Sequence, residues 1–393
     1  MKKVDKLIFS TLFFSMLATV TGVGIVVPLL PVYAHTLGAN GLYIGLIFGA
    51  FSLSRALFLP YFGRLSDKKG RKPFIVVGLF AYSIISLAFM FCKDVNSLIY
   101  ARFIQGVASA MLMPVIQAYI GDITPEGKEG FSMGLFNMSM FFGLSLGPVI
   151  GGIINDRLSL NAAFICMALL AFTGFLLSIF LLPPTKSEQA AHLGKAPTEW
   201  KILLQDRVIV GLFLFRFAYT LCIGVIWGFL PVLADSEFFL SSSSIGILVM
   251  LGVFISGLIH LPMGYLADRV NKNIMITIGG FIVVFAMLFF EWSNTSQGLF
   301  YASTLFGIGG GISMPALMAL AVLKGNKAHA MGSVMALLTL AHSVGMFTGS
   351  VLAGMMMDFF MLREAFPMGA VMMGVGIGLF FVCTYKKNEF KHT

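Results

Sequence analysis

Twelve long apolar segments divide this chain, and no other feature limits its fold as strongly. They fall near residues 7–33, 42–62, 74–92, 97–119, 131–154, 160–182, 208–231, 243–265, 274–292, 297–322, 329–356 and 366–385. Each is close to the roughly 20 apolar residues that a helix needs to cross about 30 Å of hydrocarbon. Hydrophobic residues make up 58% of the 393 and charged ones 11%, against roughly a quarter charged in a typical soluble domain. So few charges leave apolar surface that must face lipid. The 43 glycines and 14 prolines are compatible with helices, because close contacts and kinks are tolerated inside a membrane bundle. The expectation is an all-α membrane protein of twelve transmembrane helices.

The net charge of +9 invites a nucleic-acid reading, which its distribution opposes. The outer loops hold only Lys93, Arg157 and Arg363, and the spans only Arg55, Arg102 and Arg216. The other twenty of the 26 Lys and Arg fall on one side if the N-terminus is inside. That bias sets the orientation of membrane helices and places both termini in the cytoplasm. No nucleic-acid partner is expected; membrane lipid is.

The four cysteines (Cys92, Cys166, Cys222, Cys383) sit on separate spans without CxxC or Cys/His spacing. They read as small apolar residues, and neither a metal nor a cofactor is expected. The basic start of the first span resembles a signal peptide, but it runs on through Pro28 and Pro31 without a small-residue cleavage site. It is read as a retained helix.

The chain repeats itself. Gly45 and Asp67 recur as Gly246 and Asp268, each 201 positions on. Tyr100, Ala101, Gly106, Met113 and Pro114 recur at the same offset as Tyr301, Ala302, Gly307, Met314 and Pro315. The reading is an N-terminal six-helix bundle over 1–182, a polar linker over 183–207 and a C-terminal six-helix bundle over 208–393. Such duplication is how many carriers are built.

Three motifs fall on this frame. Gly63-Arg64-Leu65-Ser66-Asp67-Lys68-Lys69-Gly70-Arg71-Lys72 forms a basic turn after the second span, with a weaker copy ending in Asp268-Arg269. The fourth span carries Arg102-x-x-Gln105-Gly106. The fifth carries Gly143, Gly147, Pro148, Gly151 and Gly152. Over essentially its whole length the chain resembles the major facilitator superfamily. The first motif looks like that superfamily's signature loop, and the other two resemble elements of its drug:proton antiporter branch of twelve helices. The C-half copy departs from the pattern, with Asn271 following Val270 and no paired basics.

Physical readings stand beside the resemblance. Asp67, at a helix end, can cap the positive N-terminus of a neighbour, which the resemblance implies is the eleventh span. Arg71 can pair with Asp122. With Gly63, Gly70 and Asp268, these make a candidate conformational latch. Lys68, Lys69 and Lys72 read as topology alone. Glycines at 143, 147, 151 and 152 stack on one helical face and admit a close partner by small-xxx-small packing, while Pro148 bends the helix. The resemblance implies that this partner is the eighth span.

A charge within the bilayer costs at least about 2–3 kcal/mol, yet Arg55, Arg102 and Arg216 lie in the spans and all 17 Asp and Glu lie in loops or at span edges. Each arginine is a candidate substrate contact or a structural residue bonded to carbonyls. His342 and His260 can titrate near neutral pH and carry a proton, or serve as hydrogen-bonded structure. Asp122 is a further proton candidate. Methionines 111, 113, 314 and 318 would line a cavity if the superfamily's helix arrangement holds.

The resemblance implies a secondary active transporter working by alternating access. Its partners would be a small amphiphilic or drug-like molecule, exported, and protons, with the protein acting as a monomer in a bacterial inner membrane. The alternative is a dedicated carrier of an organic anion or lipid-like acid, favoured by the three arginines. A channel or receptor fits the duplication less well, and no filter-like loop is present. An intramembrane enzyme would need HExxH, a Ser/His/Asp set or paired carboxylates within the spans, and ATP drive would need a P-loop. The sequence has neither.

Overall fold

The computed structural model describes residues 3–124, 129–183, 203–328 and 330–385. Most of the 183–207 linker, with Lys186, Lys195 and Lys201, lies outside the described residues, as do Lys128, Lys386, Lys387 and Lys391. Among the described residues there is no strand, and 12 helices are long and apolar enough to cross a membrane. They are α1 (Lys3–Thr36), α2 (Gly41–Lys69), α3 (Arg71–Ala88), α4 (Val95–Ile123), α5 (Glu129–Arg157) and α6 (Leu160–Leu181). After the linker come α7 (Arg207–Ser236), α8 (Ser242–Arg269), α9 (Lys272–Trp292), α10 (Ser296–Lys327), α11 (Met331–Phe359) and α12 (Ala365–Tyr385).

The helices outrun the apolar segments because polar residues cap them at the membrane edge. An N-terminus leaves several N–H groups without partners, which hydroxyl, amide and carboxylate side chains accept. Asp94 accepts from Ser97 N at the start of α4, Ser159 from Ala162 N at α6, and Thr295 from Gly298 N at α10. The Ser97 hydrogen bonds hold the exposed Asp94 carboxyl below its ordinary pKa.

Two compact units emerge. Unit 1 comprises residues 1–39, 50–194 and 239–250; unit 2 comprises 40–49, 195–238 and 251–393. In unit 1, α1 packs on α5 and α6, and α3 on α4 and α6. In unit 2, α7 packs on α11 and α12, and α9 on α10 and α12. The same pairing therefore recurs in each. Lipid is as apolar as leucine, so close approach and hydrogen bonds must supply the cohesion. Ser15 and Ser178 hydroxyls meet at 3.0 Å between α1 and α6, and Ser83 Oγ donates to Ala168 O at 3.0 Å between α3 and α6.

The motif of α5 meets the eighth span that the resemblance implied at one end only, and a second helix along the rest of its length. A Cβ on Gly143 would come 2.9 Å from Thr21 N, one on Gly147 2.5 Å from Thr21 O, and one on Gly151 2.9 Å from Ile25 O. All three neighbours are on α1. Of the motif glycines only Gly152 meets α8, at Ser242 and Ser243, and Pro148 O lies against Gly246 of α8. Glycines 143, 147 and 151 therefore form an α1–α5 seam inside unit 1.

Candidate functional site

The signature motif is almost entirely helical. α2 continues to Lys69 and α3 begins at Arg71, leaving Gly70 alone at the turn. Its φ of 89° and ψ of 157° lie in a region open essentially to glycine. Gly63, by contrast, sits mid-helix with nothing within 4 Å of where a Cβ would go. Gly70→Ala is accordingly expected to cost about 1–3 kcal/mol of backbone strain. Gly63→Ala should leave thermal melting in detergent nearly unchanged, so equal melting of the two variants would contradict the turn geometry.

This one-residue turn brings Arg71 into contact with the motif that precedes it. Arg71 Nη1 donates to Asp67 Oδ1 and, at 2.9 Å, to Ser66 Oγ, while Nε lies 3.2 Å from Asp122 Oδ2 at the end of α4. The arginine side chain is 9% exposed, against 50% for Asp67 and 38% for Asp122. Asp67 is thus engaged by Arg71 within unit 1. In unit 2, Asp268 is exposed at the end of α8, where Arg269 stacks over Tyr265 at 4.2 Å.

Unit 2 carries an ion pair at other positions. Lys324, at the end of α10, reaches Asp206 Oδ2 at 2.6 Å, and the same carboxylate caps α7 through Val208 N. In the sequence Lys324 is one of the twenty basic residues assigned to the inner side.

Two further carboxylates went unnoticed in the sequence. Asp156, near the end of α5, accepts from Ser242 N at 3.0 Å and Ser243 N at 2.7 Å, clamping the first turn of α8 within unit 1. Asp358, near the end of α11, accepts from Leu42 N at 2.8 Å and also from Gly41 N, clamping the first turn of α2 within unit 2. A carboxylate at a helix N-terminus satisfies orphan N–H groups and meets the positive end of the dipole. The signal was available: the two aspartates stand 202 apart and the two helix starts 201 apart.

Of the three arginines of the spans, Arg102 is surrounded differently from Arg55 and Arg216. Arg102 is 2% exposed, donates to Gln105 Oε1 at 2.7 Å and lies over the Phe51 ring at 4.5 Å. It is fully packed inside unit 1, as a structural arginine would be. Arg55 Nη2 meets Met113 Sδ at 3.1 Å, and its buried Nε has no partner. Arg216 Nη1 meets Met314 Sδ at 2.7 Å, Nη2 lies 3.4 Å from His342 Nδ1, and its buried Nε also lacks a partner. His260 Nδ1 sits 2.6 Å from Ser256 O, one turn back on α8. Of the four methionines expected at a cavity, Met113 and Met314 touch the arginines, Met111 packs on Gly78 of α3, and Met318 is exposed.

Among the described residues no group of three or more His, Cys, Asp or Glu could hold a metal ion.

The sequence profile of the Major Facilitator Superfamily matches residues 12–322 and 212–393. An uncharacterized MFS-type transporter of Methanocaldococcus jannaschii is 31% identical over 375 residues, covering 94% of this chain and 96% of the relative. Multidrug resistance protein 2 of Bacillus subtilis is 25% identical over 395 residues, covering 98% and 97%. Among solved structures, a bacterial homolog of the human lysosomal transporter Spinster, inward-facing and unoccupied, aligns with a TM-score of 0.83 at 13% identity, over 99% of this chain and 98% of that one.

Proposed function

Belonging to the Major Facilitator Superfamily by sequence and by fold, the chain is an integral membrane transporter, and we propose that it exports small amphiphilic compounds by alternating access in exchange for protons. The observation that carries the export reading is the likeness to multidrug resistance protein 2, which runs through 98% of this chain. Two homologous halves, 1–182 and 208–393, rock about a central site near the bilayer midplane. The protein works as a monomer surrounded by lipid, in a bacterial inner membrane, with both termini and the Arg71 cluster facing the cytoplasm.

The motifs support that cycle by their chemistry. Charge-assisted contacts such as Arg71–Asp67 and the Asp156 and Asp358 clamps are strong when dry. Each has a helix end as one partner, so a small helix displacement breaks it cleanly. Contacts of that kind hold a packed state without making it permanent.

Purified protein in proteoliposomes tests the reading. A fluorescent amphiphile such as ethidium should accumulate against its gradient when a pH difference is imposed, and nigericin should collapse that accumulation. Equal movement with the gradient clamped would mark a facilitator and overturn proton exchange. Failure to move any of a panel of amphiphiles would overturn export of such compounds.

A further inference from the structure

Arg216 is a cation inside unit 2 whose guanidinium, among the described residues, hydrogen-bonds to no oxygen. Its neighbours are the Met314 thioether and the His342 imidazole, and its Nε is sealed from solvent without a partner. Neither a thioether nor an imidazole carries negative charge, so neither of these contacts balances the guanidinium. The described acids of unit 2 are Asp206, Asp235, Glu237, Asp268, Glu291, Asp358 and Glu364, all at helix ends or in loops. Arg216 lies nine residues into α7, roughly 14 Å from its start. Arg71 and Arg363 show what satisfied arginines look like in this protein. The first holds two carboxylates and a hydroxyl; the second holds Glu237 and the carbonyls of Glu291 and Ser293.

A half-buried cation within a membrane span, its Nε sealed and no counter-charge in contact with it, is costly, and an anionic ligand would relieve the cost. The planar guanidinium fork suits a carboxylate or phosphate, which would replace a weak sulfur acceptor. One turn along α7, Tyr219 stacks on Phe306 with centroids 5.6 Å apart. With Met314 this puts apolar, polarizable surface beside the charge.

We propose that Arg216 anchors the acidic group of an amphiphilic organic anion, whose apolar body lies toward Met314 and the Tyr219 side of α7. This deepens the transport reading above and rests on it by naming the substrate class: a small acid with a hydrophobic body.

The test is binding, which needs neither a gradient nor export. In phosphatidylcholine nanodiscs, 1-naphthaleneacetate is compared with its methyl ester and with 1-naphthylmethylamine by isothermal titration. The acid should bind about 10–100-fold more tightly than the ester, the range expected for a charged hydrogen bond. Arg216→Gln should remove that preference while leaving ester binding and the melting temperature intact, and Arg216→Lys should keep part of it. Equal binding of acid and ester by the wild type would overturn the proposal, as would equal loss of both in folded R216Q. Acid binding that vanishes when the nanodiscs contain phosphatidylglycerol would assign the anchor to lipid headgroups and overturn it too. Proton-driven ethidium export with no acid preference would sink this inference alone. Acid binding without any export would sink the export reading alone.

Discussion

Gly147→Val should abolish accumulation of folded protein in the membrane. A Cβ at this position would lie 2.5 Å from Thr21 O and 2.8 Å from Gly24 Cα. Both are backbone atoms of α1, so no side chain can rotate away. The remaining response is to push α1 and α5 apart along a seam where Gly143 and Gly151 are also in contact. Overpacking of a close-packed core costs about 1–3 kcal/mol, and more where backbone must move. In lipid nothing compensates for the separation, because packing itself is the attraction. Fluorescence size-exclusion chromatography of detergent extracts is the measurement. Gly134→Val, where no atom lies within 4 Å of the added Cβ, should behave like wild type. A monodisperse wild-type peak for Gly147→Val would refute the seam.

Arg71→Ala should reduce transport by more than tenfold and lower the melting temperature. The arginine is the shared cation for Asp67 and Asp122, and Ser66 accepts its third hydrogen bond. Removing one partner of a buried pair costs about 3–5 kcal/mol. Here the carboxylates are half-exposed and water recovers part of that loss, so about 2 kcal/mol is the expected scale. Lysine should not rescue, because a single ammonium cannot serve Asp122 through Nε and Asp67 through Nη1 at once. Lys68→Gln, an exposed neighbour in the same motif, should transport at the wild-type rate. If the two variants transport alike, the Arg71 cluster plays no part in transport.

How far each contact was legible in the sequence depended on its range. Arg71 and Asp122 each stand at the end of an apolar span, so the positions of the spans brought them to the same membrane edge, where opposite charges pair. The unlike roles of Gly63 and Gly70 needed the backbone angle at position 70. The Asp156 and Asp358 clamps were hidden because an aspartate near a helix end is common and its partner is only a backbone N–H. Arg102 and Arg216 were indistinguishable as letters. The structure separates them by what surrounds the guanidinium, Gln105 and Phe51 for one and a thioether for the other.

The sequence by itself settled twelve membrane-crossing helices and the internal duplication. Hydrophobic length and a 201-residue offset are properties of the chain read in order, and lipid enforces the helix wherever such a length occurs. Only the tertiary structure decided which helices meet the glycine face of α5, and which groups surround each arginine of the spans. A row of small residues encodes how closely a neighbour can approach but not which neighbour comes. A buried cation is balanced or unbalanced only by atoms far away in the chain.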